Sequence, residues 1–263
     1  IARGELDVRL PVTGDERDEV DRLRGTINRM AEGLEETEKM KNEFISSVSH
    51  ELRTPLAVVR SGLESVEKCS NEEERNHFLH LMSEETVHMK RLIDDMLLLA
   101  NSDADTLTIK PEACQPDLLL LDTYEKFEPL AKKNGLHLIL TLPEEILPDC
   151  FCDIHRTEQI FSIIVDNALC YTPSGGKVTL SCHAENEMLC FLFEDTGCGI
   201  SEEKKSHIFE RFYRADDAHT DREHFGLGLC IAKELTEKQN GNIQVVDAPI
   251  SGSCFMVQLP CAL

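Results

Sequence analysis

The chain has 263 residues, enough for one large or two smaller domains, and its apolar fraction of 41% can build a core. Its 27 basic against 49 acidic residues leave a net charge of −22, which excludes a broad nucleic-acid-binding face but permits an anion in one local pocket. No apolar run approaches the roughly 20 residues that span a bilayer, and no secretory signal is seen.

Residues 1 to 39 are strongly charged. Within them Val20, Leu23, Ile27, Met30 and Leu34 recur at helical spacing and predict an amphipathic helix. From Met40 the stripe continues through Phe44, Val48, Leu52, Leu56, Val59, Leu63 and Val66. Steps of three and four put these on one helix face. "KCSNEEE" interrupts the pattern, with Asn71 placed to cap a second helix whose first turn carries three glutamates. That helix bears Phe78, Met82, Met89, Leu92, Met96 and Leu99, with Glu85 the one polar member of the stripe. Two long helices on a short loop form a hairpin, which alone leaves apolar surface wet. Pairing with a second copy would close a four-helix bundle, so the region predicts a homodimer.

After "NSDAD" the pattern changes. "TLTIKPE", "LHLILTL", "KVTLSC", "MLCFLFED", "NIQVV" and "CFMVQL" read as strands, with helices near 117–133, 155–170 and 227–239. Mixed strands and helices predict an α/β layered domain. There are eleven cysteines, of which only Cys150-x-Cys152 form a close pair, so the spacing predicts no zinc ligation. Cysteines inside apolar runs, such as Cys190 and Cys230, behave as small hydrophobes and suit a reducing, cytoplasmic compartment.

The stretch "SVSHELRTPL" concentrates chemistry on the first long helix. His50 is two residues from both Val48 and Leu52, so it points away from the apolar stripe. Glu51 is placed to accept a proton from one ring nitrogen, leaving the other nucleophilic. Thr54, four residues on, shares His50's side of the helix, where its hydroxyl can position a water. Pro55 removes one helical N–H and predicts a bend.

"SHELRTPL" resembles the phospho-acceptor motif of bacterial sensor histidine kinases over eight consecutive residues. The resemblance implies that His50 takes the γ-phosphoryl group of ATP, with residues 40–104 as the dimerisation and phosphotransfer hairpin. The preceding "DEVDRL" and "INRMA" resemble the second half of a HAMP linker, assigned to residues 1–39. The chain then reads as a cytoplasmic fragment whose membrane segment lies outside it.

A nucleotide site is expected in residues 105–263. "EDTGCGI" ends an apolar run at Asp195, and Gly197 and Gly199 suit a tight turn that lets a flat base approach the backbone. The carboxylate can accept a hydrogen bond from an exocyclic amine. "FGLGLCIAKEL" sets Gly226, Leu227, Gly228 and Leu229 at the start of a helix, where backbone N–H groups favour phosphate. Either motif alone is equally an ordinary turn or helix start. In order with "VDNALCYTP", "IFERFYRADD" and "GSCFMVQLP", they resemble the ATP-binding domain of histidine kinases, whose fold occurs also in Hsp90, gyrase and MutL.

That resemblance implies an α+β protein, a dimerising hairpin followed by an α/β sandwich. It also implies a set of roles. Asp195 would bind the adenine amine, Asn167 would meet Mg²⁺ and phosphate oxygens, and Tyr171 would lie near the nucleotide. Arg214 would reach the γ-phosphate, and residues 214–225 would form a lid. The expected activity is ATP-dependent autophosphorylation of His50, transfer to an aspartate of a response-regulator receiver domain, and dephosphorylation of that partner using Thr54. Three positions depart from the family pattern. Ile163 stands where an asparagine often ligates the metal, Cys170 where a lysine is usual, and His224-Phe225 where Gly-Thr or similar opens the second glycine motif. Ile163 motivates a second reading, a phosphatase-dominant sensor with weak kinase activity.

Overall fold

The computed structural model describes residues 9–11, 19–69, 71–213, 226–248 and 251–262. The chain divides into two compact units, residues 1–89 and 90–263.

The first unit is built on α1 (Glu19–Lys68) and the beginning of α2 (Glu72–Asp103). Acidic residues open both helices, which favours the positive end of the helix dipole. Asn71 caps α2 as its sequence predicts, with its side-chain oxygen accepting from the Glu73 N–H at 2.9 Å. The α-helix of α1 runs through Pro55, whose side chain is buried. The hairpin arms come close at Gly62, where an added Cβ would sit 2.7 Å from the Met82 side chain.

The 40–66 stripe does not bury itself fully within one copy. Leu56 and Leu63 stay 57% and 55% exposed. The stripe expected at Val20, Leu23, Met30 and Leu34 is likewise exposed, while Asp21 and Ala31 are buried instead. The segment bearing Leu10 docks on α1 at Asn28, whose amide exchanges hydrogen bonds with the Leu10 backbone N–H and C=O at 2.8 and 2.9 Å.

The second unit is a two-layer α/β sandwich. Its five-stranded sheet has the order β2-β4-β5-β7-β6, from β2 (His137–Thr141), β4 (Lys177–Glu185), β5 (Met188–Asp195), β6 (Asn242–Asp247) and β7 (Ser253–Pro260). Only the β2–β4 pair is parallel. The helices α3 (Pro116–Lys133), α4 (Ile154–Tyr171) and α6 (Gly228–Glu237) pack against the sheet, and α5 (Glu202–Lys205) is a single turn. Phe161 of α4 is wedged between Phe191 and Phe193 of β5, with ring centroids 4.8 and 5.0 Å away. All three rings are fully buried. Aromatic packing of this kind fixes where α4 sits along β5.

A separate ribbon pairs β1 (Glu112–Cys114) antiparallel with β3 (Cys150–Cys152). The strand expected over 106–112 is therefore only a stub, because its backbone donors are committed elsewhere. The N–H groups of Thr106 and Leu107 bond to Asn101 O, the Lys110 N–H bonds to Asp153 Oδ2 at 2.9 Å, and Pro111 has no N–H. Asp153 also caps α4 through the Arg156 N–H, and its own N–H donates to the buried Gln239 side chain at 2.7 Å.

Candidate functional site

On α1 the His50 side chain is 75% exposed, as expected from its place opposite the stripe. Its Nδ1 lies 3.8 Å from Glu51 Oε1, an ion-pair distance that a small rotamer change converts to a hydrogen bond. Thr54, one turn on, is exposed and lines an apolar groove with Ala57, Val58, Phe78, Leu81 and Met82.

In the second unit three chain segments converge on Asp195, at the end of β5. The residue is only 4% exposed, and its Oδ1 accepts from the Gly197 N–H at 2.7 Å. Each surrounding glycine is required by a close approach. A Cβ on Gly197 would lie 2.5 Å from the Tyr171 carbonyl oxygen at the end of α4. A Cβ on Gly252, in the β6–β7 turn, would lie 2.1 Å from the Asp195 carbonyl oxygen, and its φ of +90° already suits glycine. Gly199, with φ +74°, packs on the Gly252 backbone. The result is a cradle that exposes backbone and holds one buried carboxylate with an oxygen to spare. The remaining carboxylate oxygen can accept a hydrogen bond from an amino group.

Beside it, α4 presents half-buried Asn167 and exposed Tyr171. Gly226 (φ +70°) accepts from the Phe212 N–H at 2.9 Å, which joins the two backbone stretches flanking residues 214–225. Phe212 itself has φ +62°, unusual for a bulky residue and a sign of local strain. Gly228 then opens α6, which has no side-chain cap at its N-terminus. Its first N–H groups thus suit an anion. Leu227 is buried and Leu229 half-buried. Ile163 packs directly under this turn, its Cγ2 lying 3.1 Å from where a Gly228 Cβ would be. Arg214, His224, Phe225 and the expected lid lie outside the described residues.

Sequence reasoning grouped Asp195, Gly197, Gly199, Asn167 and Tyr171; the structure brings Asp195, Gly197, Gly199 and the Tyr171 backbone together, with Asn167 one turn earlier on α4. Sequence reasoning missed the wedge role of Gly252. It also missed Arg211, whose guanidinium makes a two-point contact with Asp103 at the end of α2, at 2.8 and 2.6 Å. That hydrogen bonding holds the Asp103 carboxyl below its usual range. The partners are 108 residues apart, beyond any local sequence signal.

Two family models match the chain. Residues 40–105 match the His Kinase A (phospho-acceptor) domain, and residues 152–263 match the Histidine kinase-, DNA gyrase B-, and HSP90-like ATPase. The signal transduction histidine-protein kinase BaeS of Escherichia coli (strain K12) is 31% identical over 261 residues, covering 99% of this chain and 55% of BaeS. The chain thus spans about half the length of that relative. A structure of full-length ShkA in complex with AMPPNP aligns at TM-score 0.63 and 27% identity, over 84% of this chain and 46% of that one. The histidine kinase ThkA, solved with the response regulator protein TrrA, shares the fold at TM-score 0.69 and 19% identity, over 87% of this chain and 64% of ThkA. No helix among the described residues is long and apolar enough to cross a membrane. A phospho-acceptor helix bearing His50 precedes a glycine-cradled ATPase fold, and both match their domain models in this order: the chain belongs to the bacterial sensor histidine kinases.

Proposed function

We propose that this chain is the kinase portion of a two-component sensor that phosphorylates itself on His50 from ATP and passes the phosphoryl group to a receiver-domain aspartate. The observation that carries the reading is the pairing of an exposed His50–Glu51 dyad on α1 with a buried Asp195 in a cradle shaped for an amino-heterocycle. Nε2 of His50 attacks the γ-phosphorus, the N–P bond forms, the bridging P–O bond breaks, and ADP leaves. Glu51, on the Nδ1 side, takes or shares the ring proton and so keeps Nε2 nucleophilic. The spare Asp195 oxygen accepts from the adenine amine, and the N-terminus of α6 holds phosphate oxygens.

Mg²⁺ suits the arrangement through one amide oxygen from Asn167, since this ion keeps most of its waters and leans on substrate phosphates. When bound it would neutralise charge on the phosphate oxygens. Arg214 is assigned to the γ-phosphate and Tyr171 to the nucleotide's edge. The domain assignment is a HAMP-type segment over 1–39, the phosphotransfer hairpin over 40–104 and the ATP-binding domain over 105–263. Exposed Leu56, Leu63, Leu79 and Val87 on the hairpin support a homodimer closed as a four-helix bundle. Thr54 is assigned to hold water in line with the phosphoaspartate of a docked receiver domain. The kinase would face the cytoplasm, with the full-length protein anchored in the plasma membrane. A phosphatase-dominant sensor is the second reading, favoured by Ile163, which sets a methyl group beneath the α6 N-terminus where an amide would ligate metal.

The test is two-step transfer. The chain is incubated with γ-labelled ATP and Mg²⁺, the nucleotide is removed, and receiver domains are added. Label should enter the chain and then move to a receiver domain, and a chain that binds ATP but never takes label would refute the kinase reading.

A further inference from the structure

We propose that the second unit carries a three-thiolate site for a closed-shell thiophilic metal ion of the Zn²⁺/Cd²⁺ class, formed by Cys114, Cys150 and Cys152. It stands on the geometry of the β1–β3 ribbon and is independent of the kinase chemistry. Alternate residues of a strand point to the same side, and Cys150 and Cys152 are both buried while Phe151 between them faces out. Cys114 is the direct cross-strand partner of Cys150, so its side chain stands on that side too. The three Sγ atoms all lie within 4.8 Å of one another, and those of Cys114 and Cys152 are 3.3 Å apart.

A tetrahedral ion with metal–sulfur bonds of about 2.3 Å needs sulfur–sulfur separations of about 3.8 Å. The observed spread brackets that value, so side-chain rotation alone brings all three sulfurs to the ion. Cys114 is only half-buried, which gives the ion an entry path and leaves a fourth position for water. Binding releases the thiol protons, as thiolate is the ligating form. The bland alternative is three small apolar side chains packed together. Packing alone, however, gives no reason for three thiols to converge on one point of a three-residue ribbon.

The location gives the site a consequence. The ribbon joins the first strand after α2 to the residue before Asp153, the cap of α4, and α4 carries Asn167. An ion there would clamp the entry into the ATPase fold and make its stability depend on metal.

Cobalt(II) is the probe. The fully reduced, chelator-treated chain is titrated with Co²⁺, followed by absorption, and then with Zn²⁺ against a chromogenic competitor. The expected result is one ion per chain, intense thiolate-to-cobalt charge-transfer bands, tetrahedral visible bands, and displacement by Zn²⁺. Cys69→Ser, in the hairpin loop, should leave these spectra unchanged. Cys114→Ser, at the half-buried and most tolerant of the three positions, should lower the charge-transfer intensity by about a third or more and weaken Zn²⁺ binding at least about tenfold. The wild-type spectrum decides the matter even if that variant unfolds. Absence of charge-transfer bands in the wild type would overturn the site. So would unchanged binding in a folded Cys114→Ser, or conversion to a Cys114–Cys152 disulfide without metal uptake.

Discussion

Replacing Asp195 with Asn tests the base pocket with almost no change of shape. In the native chain Oδ1 is occupied by the Gly197 N–H at 2.7 Å, and the residue is buried. The Asn carbonyl oxygen can keep the Gly197 bond, so the turn should survive. Its NH₂ then takes the place of the free carboxylate oxygen and faces the adenine amine, donor against donor. Losing a charge-assisted hydrogen bond costs about 1.5–3 kcal/mol, and leaving buried donors unpaired adds on the order of 1 kcal/mol. A total of about 3 kcal/mol corresponds to roughly 150-fold weaker binding. Guanine presents a carbonyl where adenine has its amine, and the new NH₂ can donate to it, so preference for ATP over GTP should shrink or invert. Calorimetry with non-hydrolysable ATP and GTP analogues reads both effects, with circular dichroism checking the fold. A folded variant whose affinity for the ATP analogue falls less than about threefold, with base preference intact, would refute the assignment.

Gly252→Ala should cost about 2–4 kcal/mol and abolish nucleotide binding, because its Cβ meets the Asp195 backbone and its φ is positive. Gly175→Ala, also at positive φ but in open space, should cost only about 1 kcal/mol and leave binding intact. Thermal unfolding and calorimetry on the pair check this. Burial first, and then neighbouring Asp94, push the Asp95 carboxyl up from 3.8 to about 6. A raised folded-state pKa gives stability that is full below 3.8 and lost as pH rises through about 6. The shift of about two units is worth about 3 kcal/mol unscreened, and partial exposure leaves roughly half. Asp95→Asn should therefore gain over the native chain as pH rises from 5 to 7.5 in urea titrations, and a gap independent of pH would count against it. Thr54→Ala should leave labelling of His50 largely intact and slow dephosphorylation of the receiver domain, whereas equal losses in both rates would make Thr54 only a helix-shaping residue before Pro55.

The long elements were legible because their periodicity is unambiguous. Phe78, Met82, Leu92 and Leu99 keep one helix face, and "MLCFLFED" becomes β5 in full. The turn at Asp195 was legible because an acid followed by two glycines leaves few conformations. The β1–β3 ribbon was not. Three-residue strands carry no period, and the run that looked like a strand gives its donors to Asn101 and Asp153. Gly252 read as a motif member, but the need for it is steric and appears only when the β6–β7 turn meets Asp195. Cys114 and Cys152 are 38 residues apart, so their approach is a product of topology that local spacing cannot encode.

The central claim is that His50 is the phosphoacceptor. The native chain and His50→Gln are incubated with γ-labelled ATP and Mg²⁺ after both are shown to bind ATP equally. The native chain should take label that is lost in acid and stable in base, and His50→Gln should take none. Label that survives the substitution, or that resists acid, would contradict the claim.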